Sequence, residues 1–277
     1  MSALSNSPAV RKTPILCYVT GGRSLPLSTP SDFSSALIQK IAALASAGVD
    51  WIQLREKHLC ARELSNLARE ASRRAPVYPG GERSRPRIIV NDRLDVAIAE
   101  RADGVHLGEN GVPLNETKLF LESHRVAQAS LFAPRVEGPV PALSALGLPV
   151  TAAPVPPLPT PAWSATAQTA PENFLLGVSC HSPEGAKAAA RDGASYVFFG
   201  PIFATPSKAA FGQPQGAARL AEVCLSVSIP VLAIGGITLE NAAVCIKAGA
   251  AGIAAIRLFQ DAPDATATVK ELRQRTA

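Results

Sequence analysis

Eight short apolar runs alternate with helix-patterned stretches along this chain, and no single motif constrains its fold as strongly. Strand followed by helix, unit after unit, requires a parallel sheet with its helices packed outside. The runs are Ile15 to Thr20, Val49 into a polar cluster ending at Lys57, Ile88 to Asp92, Asp103 to Leu107, Phe174 to Ser179, Tyr196 to Phe199, Val231 to Ile234 and Gly252 to Ile256. The intervening pattern predicts helices from Ser31-Asp32 to a stop at Gly48, then over Ala61 to Arg74, Leu94 to Glu100, Leu114 to Gln128 and Ser182 to Arg191. Three more follow, from about Gln215 to Ser226, Thr238 to Gly249 and Ala265 to Arg275. Eight units predict an α/β fold, a single closed (β/α)8 TIM barrel of about 250 residues. An open doubly wound sheet is the alternative, but no glycine fingerprint follows the first run.

Two segments stand apart from the alternation. Residues 1–12 are expected to form a flexible tail before a barrel domain spanning 13–277, because they lack the charged-then-apolar order of a secretory signal. Residues 129–172, between the fourth helix and the fifth strand, hold ten of the 24 prolines and keep neither period, so an irregular Pro/Ala-rich insertion is expected there. It follows a helix, and should therefore project from the face opposite the catalytic one. No run approaches the roughly 18 apolar residues of a membrane span. Five cysteines with no close pair point to a reducing cytoplasm rather than a disulfide frame or zinc site. A net charge of +5 permits an anionic ligand, whereas 5% aromatic content and scattered basic residues argue against nucleic acid. The oligomeric state is left open, a homo-oligomer included.

Barrel enzymes carry their chemistry on the loops after the strands, and polar residues collect at those places here. Gln53, Arg55 and Lys57 alternate at the end of the second run, so an extended backbone would turn an amide, a guanidinium and an ammonium the same way. Such donors suit a polyphosphate; a solvated or paired strand end is the alternative. Asn91-Asp92 places a carboxylate beside an amide, a set that suits Mg²⁺, or else ordinary turn chemistry. Ser179 and His181 follow the fifth run; His181 is either an acid/base, an anion donor or a cap for the next helix. His106, inside a strand, reads as a satisfied core histidine. Thr205, Ser207 and Lys208 offer two hydroxyls and an ammonium in one loop, either to a phosphate or to solvent. Gly235-Gly236 precede a helix start, where backbone can approach an anion closely or simply make a tight turn, and Arg257 adds a positive charge after the eighth run.

Taken in order, Gln53-Leu54-Arg55-Glu56-Lys57, Asn91-Asp92-Arg93, Gly104-Val105-His106-Leu107-Gly108, Gly177-Val178-Ser179, Gly200-Pro201-Ile202-Phe203 with Thr205 and Lys208, and Ile234-Gly235-Gly236-Ile237 resemble the family of thiamine-phosphate synthases and thiazole tautomerases. The resemblance implies a transferase that joins a hydroxymethylpyrimidine diphosphate to a thiazole phosphate with loss of diphosphate, acting on small phosphorylated substrates. It implies that Gln53, Leu54, Arg55, Glu56, Lys57, Asn91 and Lys208 hold the pyrimidine diphosphate and that Ser179 contacts the pyrimidine. Asp92 would bind Mg²⁺. Thr205, Ser207, Gly235, Gly236 and the end of the eighth strand, Ile256-Arg257, would hold the thiazole phosphate. Arg55, Lys57 and Lys208 would stabilise the departing diphosphate.

Two departures from the family pattern are visible. Gly111 stands where a second metal-binding aspartate is expected, with Glu109 two residues earlier as a substitute, and Arg257 replaces a serine. A tautomerase using His181 as acid/base is the alternative that Gly111 favours, since it needs no metal. A non-catalytic, phosphate-binding regulatory barrel is a further one.

Overall fold

The computed structural model describes residues 13–21, 30–75, 85–108, 111–132, 173–205 and 213–277. Eight strands run β1 Ile15–Val19, β2 Trp51–Leu54, β3 Arg87–Asn91, β4 Gly104–Leu107, β5 Leu175–Cys180, β6 Tyr196–Phe199, β7 Val231–Ile234 and β8 Gly252–Ala255. Each pairs in parallel with the next, and β8 returns to β1 with Ile15 opposite Gly252, so the sheet closes in sequence order. The helices are α1 Pro30–Ala47, α2 Ala61–Arg74, α3 Leu94–Ala99, α4 Leu114–Phe132, α5 Pro183–Arg191, α6 Gly216–Ser226, α7 Ala242–Lys247, α8 Arg257–Gln260 and α9 Ala265–Arg275. None among the described residues is long and apolar enough to cross a membrane.

The period of two in the strands separates two cores. Ile15, Cys17, Val19, Trp51, Ile89, Tyr196, Phe198, Leu232 and Ala254 fill the barrel interior. The alternate residues, among them Leu16, Tyr18, Ile52, Leu54, Ile88, Val90, Val105 and Val197, pack outward against the helices. Burying both faces is why these strands read as continuous apolar runs rather than as alternating ones.

Four of the helix-to-strand turns share one construction. Before β2, β4, β6 and β8 the chain passes through a left-handed residue, respectively Gly48 (φ 98°), Arg101 (φ 51°), Gly193 (φ 91°) and Gly249 (φ 96°). The amide of the following residue then reaches back into the helix: Val49 to the Leu44 carbonyl, Ala102 to Ala97, Ala194 to Ala189 and Ala250 to Cys245. This pattern satisfies end-of-helix carbonyls and seats a small apolar side chain under the barrel. In three of the four, the next side chain accepts the amide of the second residue of the preceding strand: Asp50 from Leu16 (2.8 Å), Asp103 from Ile88 (2.8 Å) and Ser195 from Leu176 (3.0 Å).

Several boundaries differ from the sequence expectation. β2 stops at Leu54, so Arg55 and Lys57 lie beyond the strand. α4 continues to Phe132, making residues 129–132 helical; the expected insertion over 133–172 and the tail at 1–12 lie outside the described residues. α7 starts at Ala242 rather than Thr238, because the Asn241 side chain takes the Thr238 amide and donates to the Gly236 carbonyl, holding a turn there. The short helix α8 was not expected at all. It forms because Gln260, four residues after Ile256, accepts the Gly21 amide (3.1 Å) and donates to the Gly21 carbonyl (2.8 Å), which clamps the loop after β1.

Candidate active site

Three strand ends converge on a hydrogen-bonded chain at the barrel mouth. Gln53 of β2 faces the interior, is 2% exposed, and donates through Nε2 to Asn91 Oδ1 at 2.7 Å. Asn91, at the end of β3, donates in turn to Asp92 Oδ2 at 2.6 Å. The other Asp92 oxygen accepts the Gly108 amide just beyond β4 at 2.7 Å. Asp92 is held in a left-handed conformation, φ 59°, and its own amide bonds the His106 carbonyl at 2.8 Å. A non-glycine residue adopts that conformation readily only when the surroundings fix it. The carboxylate is therefore set in place by two neighbouring strands, and it keeps a third of its surface open.

Two cations stand over this chain. Lys57 Nζ lies 3.8 Å from Asp92 Oδ2 and is largely exposed. The Arg55 amide bonds Thr20 Oγ1, while its half-buried guanidinium has no carboxylate within ion-pair distance among the described residues. Glu56, Lys57, Leu59, Asn91, Asp92 and Arg93 line a cleft of about 270 Å³ here. With Lys57 beside it and Glu56 buried, Asp92 is the part-exposed carboxylate of this cleft, which leaves room for an anion on its open side. Gly111 stands near the same carboxylate: a side chain there would begin 3.3 Å from Asp92 Oδ1.

An extended strand through residue 57 would put Gln53, Arg55 and Lys57 on one side. Because β2 ends at Leu54, only Gln53 of the three lies in the strand, and Arg55 and Lys57 belong to the turn beyond it. Leu54 itself is fully buried in the outer core, so its side chain does not face the mouth. Glu56 is buried, and its carboxylate stands 3.7 Å from His58 Nδ1.

On the opposite side of the mouth, Ser179 of β5 faces inward and lies 2.9 Å from His106 Nε2. His106 is 1% exposed and its Nδ1 is 3.1 Å from the Tyr196 hydroxyl, so the core histidine expected from sequence is indeed satisfied. Burial, with a smaller contribution from the Arg55 charge, pushes its pKa down to about 3, leaving the ring neutral. His181 Nδ1 contacts the Gly200 carbonyl, and helix capping falls to Ser182, whose Oγ accepts the Gly185 amide at 3.0 Å.

Gly235 (φ 94°) and Gly236 (φ 67°) follow β7, but what demands glycine there is protein rather than a ligand. Side chains would begin 2.6 Å from Pro201 Cβ and 2.7 Å from the Phe203 and Ala204 carbonyl oxygens. The loop after β6 packs down on this turn, with Ile202 and Phe203 donating to the Ile234 and Gly235 carbonyls. That loop carries Thr205, half-buried, toward the mouth. Ile256 caps α8, and Arg257 is its exposed first residue. Ser207, Lys208 and Glu109 lie outside the described residues. Sequence reasoning missed Tyr196, because an unbroken apolar run does not reveal which residues face inward. The signal available was Gly177, its partner in the ladder, which has no side chain.

Comparison with known proteins agrees with this geometry. A family model described as thiamine monophosphate synthase matches residues 25–130 and 160–259. The chain is 37% identical over 238 residues to a thiamine-phosphate synthase of Methanoculleus marisnigri, covering 86% of this chain and 87% of the relative. It is 35% identical over 237 residues to one of Roseiflexus castenholzii, covering 86% and 80%. Among solved structures, a thiamine phosphate pyrophosphorylase from Pyrococcus furiosus superposes with a TM-score of 0.60 at 25% identity, over 95% of each chain. With a closed eightfold barrel, the Gln53–Asn91–Asp92 chain and matches over most of its length, this protein belongs to the thiamine monophosphate synthase family.

Proposed function

We propose that the chain is a thiamine-phosphate synthase, a transferase that joins hydroxymethylpyrimidine diphosphate to a thiazole phosphate and releases diphosphate. The observation that carries this reading is the cluster at the mouth, where Arg55 has no carboxylate partner among the described residues and Lys57 stands beside a fixed Asp92. In this reaction the bond from the methylene carbon to the diphosphate oxygen breaks, and the thiazole nitrogen takes the carbon. Negative charge grows on the leaving group, so Arg55 and Lys57 lower the barrier by being in place before it develops, and Lys208 is assigned to the same anion. Gln53 is held by Asn91 and fixes the polar wall of the site, while Ser179 meets the pyrimidine. Thr205, Ser207, the turn at Gly235-Gly236 and the end of β8 hold the thiazole phosphate.

Asp92 fits Mg²⁺, which takes one or two carboxylates and completes its octahedron with water and phosphate oxygens. Its oxygens accept one hydrogen bond each from Gly108 and Asn91, which orients the carboxylate without closing the cleft. When bound, the ion supplies charge neutralisation at the diphosphate. Gly111 contributes no second carboxylate; Glu109, two residues earlier in the chain, is the residue that would supply one.

The test supplies both substrates with and without Mg²⁺ and follows diphosphate release. Mg²⁺-dependent release is expected, and Lys57→Ala should lower kcat/KM at least about tenfold, since a charged hydrogen bond contributes roughly 1.5–3 kcal/mol. A wild-type rate in that variant would sink the assignment. Conversion of the thiazole tautomer alone, abolished by His181→Ala, would replace this reading with a tautomerase.

A further inference from the structure

The barrel interior contains a buried polar chain, Tyr196–His106–Ser179, that the substrate contacts above leave unexplained. Its members come from three strands, with Tyr196 Oη 3.1 Å from His106 Nδ1 and His106 Nε2 2.9 Å from Ser179 Oγ. The space for the tyrosine ring exists only because Gly177 faces it: a side chain at 177 would begin 2.1 Å from Tyr196 Cζ and 2.3 Å from its hydroxyl oxygen. Trp51 packs edge-on against Tyr196 with ring centroids 4.7 Å apart, and Phe198 covers His106 at 4.3 Å. Neither polar ring can turn away.

The direction of the protons follows from counting donors. A neutral imidazole carries one proton for its two nitrogens. Placed on Nδ1, that proton would go to the Tyr196 oxygen, and the tyrosine's own O–H would be buried without an acceptor among the described residues. Buried hydroxyl protons are rarely left unmet, because their desolvation is then uncompensated. Placed on Nε2, both rings are satisfied: Tyr196 donates to Nδ1 and Nε2–H donates to Ser179 Oγ. Among the described residues the Ser179 proton then has no acceptor, and its oxygen sits at the open end of β5.

We infer that Tyr196 and His106 are positioning residues that fix Ser179 as a hydrogen-bond donor to the substrate, so that the group it meets is an acceptor such as an unprotonated pyrimidine ring nitrogen rather than the amino group. The identity of the ring rests on the synthase reading; the relay does not.

Nitrogen-15 NMR of histidine-labelled wild-type protein tests the relay directly, with His106 assigned by the signal lost in His106→Asn. The expected state is a neutral ring protonated at Nε2. A ring protonated at Nδ1, or at both nitrogens near neutral pH, overturns the proposal even if Tyr196→Phe does not fold. Where it folds, Tyr196→Phe should lower kcat/KM for the pyrimidine diphosphate by about tenfold, leave KM for the thiazole phosphate unmoved, and have no further effect in a Ser179→Ala background. Additive losses overturn the coupling. Of two analogues with one ring nitrogen replaced by CH, one should erase the difference between wild type and Ser179→Ala; if neither does, the acceptor assignment falls. A protein with the Nε2–H tautomer but no diphosphate release keeps the relay and removes the synthase reading.

Discussion

At His106, fold and function place the same demand on one side chain. The imidazole is neutral because burial and the Arg55 charge oppose its protonation, lowering its pKa from 6.5 to about 3. The folded chain therefore refuses a proton that the unfolded chain accepts. Its contribution to stability is complete above about pH 6.5 and declines as pH falls toward about 3, at up to roughly 1.4 kcal/mol per pH unit. Urea midpoints measured across that window should fall more steeply for wild type than for His106→Asn; parallel profiles would show that the ring titrates normally. Little of this was readable beforehand. The sequence marked His106 as a core histidine, but its partners, Tyr196 and Ser179, stand 90 and 73 residues away.

Among the elements, the four turns before the even-numbered strands show what a local rule can and cannot specify. Three use glycine at the left-handed position and the fourth uses Arg101. A side chain there meets its own backbone, at a cost of about 1–2 kcal/mol. Arg101→Gly should thus raise stability by about 1 kcal/mol, partly offset by the freedom glycine adds to the unfolded chain. Gly48→Ala is the converse: φ is 98° and nothing lies within 4 Å of the added carbon, so any loss comes from the backbone alone. Thermal denaturation of the two variants should shift in opposite directions. The helix stops at glycine were legible because the effect is confined to one residue. By contrast, α8 depends on Gln260 reaching Gly21, 239 residues away.

At the scale of the molecule, closure requires the two ends of the chain to meet at the bottom of the barrel. Arg273 of α9 bonds Asp50 Oδ2 (2.7 Å) and the Gly48 carbonyl (3.0 Å), and Asp50 also accepts the Leu16 amide of β1. One carboxylate thus ties the first strand, the second strand and the last helix. Both side chains are partly exposed, so the pair is screened. Arg273→Ala should still cost about 2 kcal/mol, since the loss leaves a half-buried carboxylate with one partner fewer. A double-mutant cycle with Asp50→Asn should show the two losses to be less than additive. If they add fully, Arg273 holds the helix through the Gly48 and Pro14 carbonyls rather than through Asp50.

By itself, the sequence determined the eight-unit barrel and the residues that gather at its mouth, because a period of two or 3.6 and a terminating glycine are properties of neighbouring residues. It also carried the segments that mark the family. Only the tertiary structure decided what those residues face. It turned Leu54 outward and Gln53 inward, packed Gly235 and Gly236 against Pro201 and Phe203, and joined Tyr196 to Ser179 through His106. Those outcomes depend on which strands stand side by side and in which register. Closure of the barrel fixes both, and no local stretch of sequence contains that information.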